Sequence, residues 1–288
     1  MSATTPPAPG TASASAAASA TLGSVAFIGA GPGDPDLITV RGRRLIRRAA
    51  LVLYAGSLVP REIVAQAAPN AVVRDSAPMS LEETHALIMA TVRAGGDVAR
   101  VHTGDPALYG AIREQIDLLE REGVPCEVVP GVTAAFAAAA RAKVSLTVPG
   151  RSQTVILTRA PGRTPMPEAE NLADLARHGA AMAVYLSAAE PEAMADALRT
   201  GGLAPETPVI VAHRVGWDGE FLQRTTLEHA PALVRERAIT RQTLFLVLPG
   251  EDGAPHRSHL YDPDHPHLFR PARPADSADG KDPDDADR

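Results

Sequence analysis

Between two polar ends, short apolar runs alternate with stretches in which apolar residues recur at helical spacing. Val25-Ala26-Phe27-Ile28 reads as a strand, and Leu37, Val40, Leu45 and Ala49 predict a helix over 37–49. Leu51 to Tyr54 is the next strand. Ser80 followed by Glu83 is a capping-box signature, and it predicts a helix from there to about Ala94. Val98 to Val101 reads as a strand, and a helix over Tyr109 to Arg121 is stopped by Gly123. Val128-Val129 then leads through Pro130-Gly131 into an alanine-rich helix ending near Ala142.

After Pro149-Gly150 the pattern starts again. Strands are expected over 154–158, 183–187, 209–212 and 243–248, and helices over 171–178, 189–199 and 227–236. Phe221 to Arg224 reads as an extra, antiparallel strand. Strands that alternate with helices predict an α/β chain with mainly parallel sheets. The expectation is two α/β domains, 23–146 and 147–250, with a boundary near 145–152.

Composition narrows the class. The 288 residues suffice for two cores, and with only 3% aromatics those cores must be aliphatic. A net charge of -6 argues against nucleic acid as a partner, because such proteins carry a basic footprint. The single Cys126 excludes an internal disulfide and a cysteine-clustered metal site, fits a reducing cytoplasm, and reads as a small core residue. No stretch approaches the roughly 20 apolar residues of a membrane span. Residues 1–22 have the composition of a disordered extension rather than a secretory signal, and 251–288 read as a largely disordered tail.

Three segments carry candidate chemistry. Gly29-Ala30-Gly31-Pro32-Gly33-Asp34-Pro35 lies between a strand and a helix. It is not a dinucleotide fingerprint, since Asp34 stands where the third glycine would be and would repel a pyrophosphate. Thr103-Gly104-Asp105-Pro106 follows a strand, where open α/β sheets bind ligands. Val129-Pro130-Gly131-Val132-Thr133-Ala134 turns into a helix of small residues, which lets backbone lie close to a ligand or a neighbour. Taken singly, the first segment reads equally as an ordinary turn, while the second reads first as an Asp that caps a helix and the third as tight packing.

Their order and spacing together resemble the tetrapyrrole methylase family, the class III S-adenosylmethionine methyltransferases. The resemblance runs over Gly29 to Thr39, Gly104 to Pro106 and Pro130 to Ala134, and covers roughly residues 24–249. Leu53-Tyr54-Ala55-Gly56-Ser57-Leu58-Val59, Val211-Ala212-His213-Arg214-Val215-Gly216-Trp217 and Arg257-Ser258-His259-Leu260-Tyr261-Asp262 further resemble one branch. Members of that branch methylate C11 of precorrin-4 or cobalt-precorrin-4. Gly216 departs from the branch pattern, which has a hydroxyl residue there.

The resemblance implies two α/β domains, with S-adenosylmethionine held in a cleft between them and S-adenosylhomocysteine released. Its cofactor contacts carry over to Pro32, Thr103, Gly104, Asp105, Leu108, Thr133, Ala134, Leu186 and Val215. Asp105, Tyr54 and Ser57 are the candidate catalytic residues, and Gly56, Arg214 and Trp217 the candidate substrate contacts. No metal is implied, since the sulfonium is already a strong electrophile and needs mainly to be placed in line with a ring carbon. The implied substrate carries carboxylate arms, which suit arginine forks. Arg41, Arg43, Arg44, Arg47 and Arg48 crowd one helix and read as an exposed basic face, with Arg214 and Arg241 as alternatives. A cytoplasmic homodimer that contacts neither nucleic acid nor membrane completes the expectation. Another family member, a non-catalytic nucleotide-binding module, and an oxidoreductase remain as other readings.

Overall fold

Ten strands and eight α-helices make up the described part of the computed structural model. The described residues are 21–250 apart from 163, with 251, 258, 260, 265–266 and 268–271. Most of the expected extension over 1–22 and of the tail over 251–288 lies outside them, as do Arg257, His259, Tyr261 and Asp262 and the side chain of Ser57. The chain divides into two units, Met1–Thr133 and Ala134–Arg288.

The first unit holds β1 (Val25–Gly29), α1 (Val40–Arg48), β2 (Leu51–Tyr54), α2 (Arg61–Val64), β3 (Val72–Asp75), α3 (Leu81–Arg93), β4 (Val98–His102), α4 (Arg113–Arg121) and β5 (Cys126–Val129). Its sheet has the order β3-β2-β4-β1-β5, and every pairing is parallel. Alternate residues face opposite helical layers, as a strand's period of two requires. Ala26, Ile28, Val52, Ala99 and Val101 pack with Ile46 of α1 and Ile63 of α2. Val25, Phe27, Leu51, Leu53 and Val98 pack with Ile88 and Val92 of α3 and Leu119 of α4. From β1 the chain moves to one side of the sheet, and from β4 it crosses to the other. The carboxyl ends of β1 and β4 therefore flank the topological switch point, where such sheets bind ligands.

The capping box forms as expected. The Ser80 hydroxyl accepts from the Glu83 amide at 3.2 Å, and the Glu83 carboxylate accepts from the Ser80 amide at 2.7 Å. Two helix starts differ from expectation. α1 begins at Val40, because the Thr39 hydroxyl caps it by accepting from the Gly42 amide at 3.0 Å. α4 begins at Arg113 rather than Tyr109, because Tyr109 and Ala111 adopt left-handed φ values of 57° and 47°. Cys126 is half-buried rather than a core residue, since β5 is an edge strand.

The second unit holds α5 (Ala134–Ala142), β6 (Val155–Arg159), α6 (Leu172–Ala176), β7 (Ala181–Tyr185), α7 (Pro191–Thr200), β8 (Pro208–His213), β9 (Phe221–Thr226), α8 (Ala230–Glu236) and β10 (Thr243–Val247). The expected parallel pairing fails here. In the order β6-β7-β10-β8-β9 only β6 and β7 run parallel. β10 returns antiparallel between β7 and β8, and β9 pairs antiparallel with β8, as the Phe221–Arg224 pattern indicated. Strand spacing along a chain does not encode direction, and a β10 inserted between two earlier strands cannot be read from local pattern. Met182, Val184, Val209, Val211, Phe245 and Val247 form the core with Leu172, Met194, Leu198 and Val234. The unit begins before the expected 145–152 boundary, because α5 packs on β10 and β9. Its Ala135, Ala137, Ala138 and Ala139 are all buried, so the small residues do serve close packing.

Candidate active site

In the first unit, β1, β4 and β5 end level with one another. Gly29 lies opposite His102, and Ile28 opposite Val129. The three motif loops therefore leave the sheet side by side. Gly31 and Gly104 form a two-way backbone bridge, Gly104 N to Gly31 O at 2.8 Å and Gly31 N to Gly104 O at 3.2 Å. A Cβ on Gly131 would lie 2.0 Å from the Gly104 carbonyl oxygen, and one on Gly29 would lie 2.5 Å from the Gly131 Cα. Glycine is required at both places because backbone fills the space. Gly104 has room around it but a φ of +60°, so there the requirement is conformational.

Asp105 fastens this junction. One carboxylate oxygen accepts from the Ala107 amide at 2.8 Å, and the other accepts from the Gly131 amide at 2.9 Å. A carboxylate has further lone pairs on each oxygen, so it keeps both its charge and free acceptor positions. Asp105 is thus first a clamp between the β4 and β5 loops. Asp34, which excluded a dinucleotide loop, also has a structural role: its carboxylate accepts from the Asp36 amide at 3.0 Å and caps the short turn Pro35–Leu37. Pro32 and Thr133 are buried, Leu108 is half-buried, and Thr103 is exposed. Thr133 lies against Gly104. The junction thus sets a left-handed glycine in ordinary contact with Thr133 next to a half-buried carboxylate.

Tyr54 ends β2 opposite Val101, one strand from the junction. Gly56 follows with a φ of +35°, and a Cβ there would come within 3.0–3.1 Å of both Asp75 carboxylate oxygens. Ser57 lies in the turn Gly56–Leu58.

Two residues behind these loops escaped the sequence reading. Arg100 on β4 is buried, and among the described residues it has no carboxylate partner. Its Nε donates to the Gln115 side chain at 3.1 Å, and its Nη1 donates to the Ser76 hydroxyl at 2.9 Å and to the Leu53 carbonyl at 3.4 Å. Ser76 in turn donates to the Tyr54 carbonyl at 2.9 Å. Burial pushes the Arg100 guanidinium down to about 10, so it stays charged at neutral pH. His102, also buried, has its pKa pushed down to about 3 by desolvation and by Arg100. It is therefore a neutral imidazole, and its Nε2 has no hydrogen-bond partner. A charged residue and a histidine alternating with valines in Val98-Ala99-Arg100-Val101-His102 were the available signal.

In the second unit the Tyr185 hydroxyl accepts from the Ala135 amide at 3.1 Å, which ties the start of α5 to the last residue of β7. Tyr185 was not among the expected residues. Leu186 is 69% exposed at a φ of 56°, an unusual combination for an apolar residue. Arg214, also left-handed at 51°, opens the turn into Val215, Gly216 and Trp217. The Trp217 amide donates to the Arg214 carbonyl at 2.9 Å. Val215 is buried and Trp217 half-buried. The Thr243 hydroxyl donates to the Arg241 carbonyl, so it can only accept from His213 Nδ1–H, at 3.0 Å. Burial, with Arg214 alongside, lowers the His213 pKa and keeps this tautomer neutral.

Of the arginines on α1, Arg41 pairs with Glu127, and Arg43 lies 3.7 Å from Asp36. Arg44, Arg47 and Arg48 are not buried, as expected of a basic face. Among the described residues no helix is long and apolar enough to cross a membrane.

Residues 24–231 match the family of tetrapyrrole (corrin/porphyrin) methylases. The chain belongs to that family. It is 48% identical over 250 residues to a precorrin-4 C(11)-methyltransferase of Pseudomonas aeruginosa, covering 86% of this chain and 98% of that protein. It is similar to the X-ray structure of CbiF, a cobalamin biosynthetic cobalt precorrin-4 methyltransferase, with a TM-score of 0.76 and 48% identity over 78% of this chain and 94% of the other. A uroporphyrin-III C-methyltransferase from Thermus thermophilus in complex with S-adenosylhomocysteine matches with a TM-score of 0.64 and 28% identity, over 82% of this chain and 97% of the other. As a tetrapyrrole methylase by this match, the chain has its whole glycine junction, Gly29 to Gly131, inside the matched residues.

Proposed function

We propose that this methylase transfers the methyl group of S-adenosylmethionine to C11 of precorrin-4 or cobalt-precorrin-4, giving the precorrin-5 level of cobalamin biosynthesis. The observation that carries the reading is 48% identity along almost the whole length of a precorrin-4 C(11)-methyltransferase. The Asp105-clamped junction at the switch point supports the cofactor assignment.

When bound, S-adenosylmethionine supplies an electrophilic methyl on a sulfonium centre. The protein has to bind, orient and dehydrate the reactants. Asp105 holds the Gly104 and Gly131 loops at a fixed spacing and presents negative charge toward the cationic cofactor. Thr103 and Thr133 offer hydroxyls, and Pro32 and Leu108 offer apolar surface. Ala134, Leu186 and Val215 are proposed contacts of the same cofactor. Tyr54, Gly56 and Ser57 are proposed to lie along the ring at the β2 end, held by Ser76 and Arg100. Arg214 and Trp217 are proposed substrate contacts. Held by these residues, S-adenosylmethionine would supply its methyl to C11, with S-adenosylhomocysteine as the leaving group and one ring proton passing to solvent. A cytoplasmic homodimer is part of the same reading, supported by the family resemblance.

The decisive experiment is incubation with precorrin-4, with and without cobalt, in the presence of methyl-labelled S-adenosylmethionine. One added methyl by mass spectrometry, placed at C11 by carbon NMR, is the expected result. Methylation at another ring carbon, or none, overturns the reading.

A further inference from the structure

The second unit contains a pocket of about 380 Å³ lined by His213, Arg214, Phe221, Arg237, Arg241 and Gln242, among others. Its charge is unusual for a chain with a net charge of -6. Elsewhere in the same unit arginines meet acids: Arg224 makes paired bonds of 2.8 and 2.9 Å to Glu251, and Arg235 pairs with Glu192. Arg214, Arg237 and Arg241 differ, since none of them has a carboxylate within 4.0 Å among the described residues. Three guanidinium groups thus converge on one cavity without counter-charge. The Nε of Arg214 is buried and has no acceptor, a state that costs free energy unless a ligand supplies one.

The lining is preorganised. The Arg237 guanidinium carbon lies over the Phe221 ring, 4.4 Å from its centroid, a cation–π contact that holds the group at the pocket. Arg214, Ala238 and Gln242 all have left-handed φ values between 51° and 53°. The Gln242 carbonyl accepts from the Arg214 amide at 2.8 Å, which joins the two loops that carry the arginines. Non-glycine residues in that conformation are strained, and such strain gathers at ligand sites.

We propose that this pocket binds carboxylate arms of the tetrapyrrole substrate, with Arg237 and Arg241 joining Arg214 as specificity-determining residues. Planar forks take carboxylates in paired hydrogen bonds, and three of them suit two neighbouring acetate and propionate arms. The proposal rests on the tetrapyrrole reading of the preceding section but can fail separately from it.

The test uses the full chain, Arg237→Gln, Arg241→Gln, the double variant and Arg237→Lys. Three quantities are measured: KM for precorrin-4, affinity for S-adenosylhomocysteine, and affinity for uroporphyrin I as a stable polycarboxylate probe. Each Gln substitution should raise KM and weaken uroporphyrin binding by about tenfold, the loss of one charged hydrogen-bonding partner. Arg237→Lys should recover part of the loss, and S-adenosylhomocysteine affinity should stay within about twofold of wild type. Unchanged KM and uroporphyrin affinity in the double variant would overturn the pocket assignment and leave the methylation reading standing. Weakened S-adenosylhomocysteine binding with an unchanged KM would also overturn it, by assigning the pocket to the cofactor. A wild-type chain that does not methylate precorrin-4 overturns the methylation reading. In that case a uroporphyrin affinity weakened in the single variants and more so in the double variant would still support a polycarboxylate pocket, and affinity equal to wild type would overturn it.

Discussion

In the first unit the functional loops meet backbone against backbone, with Gly29, Gly104 and Gly131 in direct contact and one carboxylate between them. In the second, the proposed substrate pocket is lined by long side chains, with a cation–π contact and a left-handed turn. The difference follows from the two sheets. Parallel strands that end level bring three loops to one point, so only glycine fits where they cross. In the mixed sheet of the second unit the antiparallel β8 and β10 bring two loops together, joined by the Arg214 amide to the Gln242 carbonyl at 2.8 Å, and long side chains line the cavity beside them. A backbone junction tolerates little change, because its neighbours cannot move aside. A side-chain pocket tolerates more in stability, although not in what it binds.

Four measurements would break or sharpen that contrast. The largest effect belongs to Gly131→Ala, whose Cβ would sit 2.0 Å from the Gly104 carbonyl oxygen. We expect about 3 kcal/mol or more of destabilisation, beyond ordinary overpacking because the obstacle is backbone, read by urea denaturation. A loss below about 1 kcal/mol would show that the junction yields. Next is Asp105→Asn. An amide would set an NH2 against one of the two backbone N–H groups now bonded to the carboxylate. That mismatch costs about 1–3 kcal/mol, so S-adenosylhomocysteine affinity should fall about ten- to a hundredfold by calorimetry. Unchanged affinity would separate the clamp from the cofactor.

The third concerns pH. His102 has a pKa of about 3 when folded against an ordinary 6.5, so the unfolded chain binds the proton that the folded one refuses. Its contribution is intact above pH 6.5 and is lost progressively as pH falls toward 3. At pH 5 the loss is roughly 2 kcal/mol. His102→Leu should remove that part of the difference between urea midpoints at pH 7 and pH 5. An unchanged difference would mean that the imidazole is not shielded. The smallest effect is expected for Arg237→Gln, an exposed residue that has no acid partner among the described residues. Its stability should stay within about 0.5 kcal/mol of wild type, even where ligand binding changes. A large loss would make the pocket structural.

Much of the first unit was legible in the sequence because its signals are local. The Ser80–Glu83 capping box, the Gly123 stop and the apolar run Val25 to Ile28 depend on neighbours a few residues apart. The order of the three glycine-bearing segments also carried the family. Local pattern did not show that Tyr109 and Ala111 break the expected helix, since neither is a residue that usually adopts a left-handed φ. Nor did it show that Asp105 spends its carboxylate on Gly131, 26 positions away.

What the sequence by itself determined was the alternation of strands and helices, the aliphatic cores and the loops that carry the glycines, because each follows from spacing and residue type along the chain. Tertiary structure decided the rest: the antiparallel return of β10, the burial of Arg100 and His102 beneath the site, and the convergence of Arg214, Arg237 and Arg241 on one cavity. Those outcomes depend on which strand lies beside which and on which charges are left without a partner. Both are settled by packing between distant segments, and periodicity along the chain does not record them.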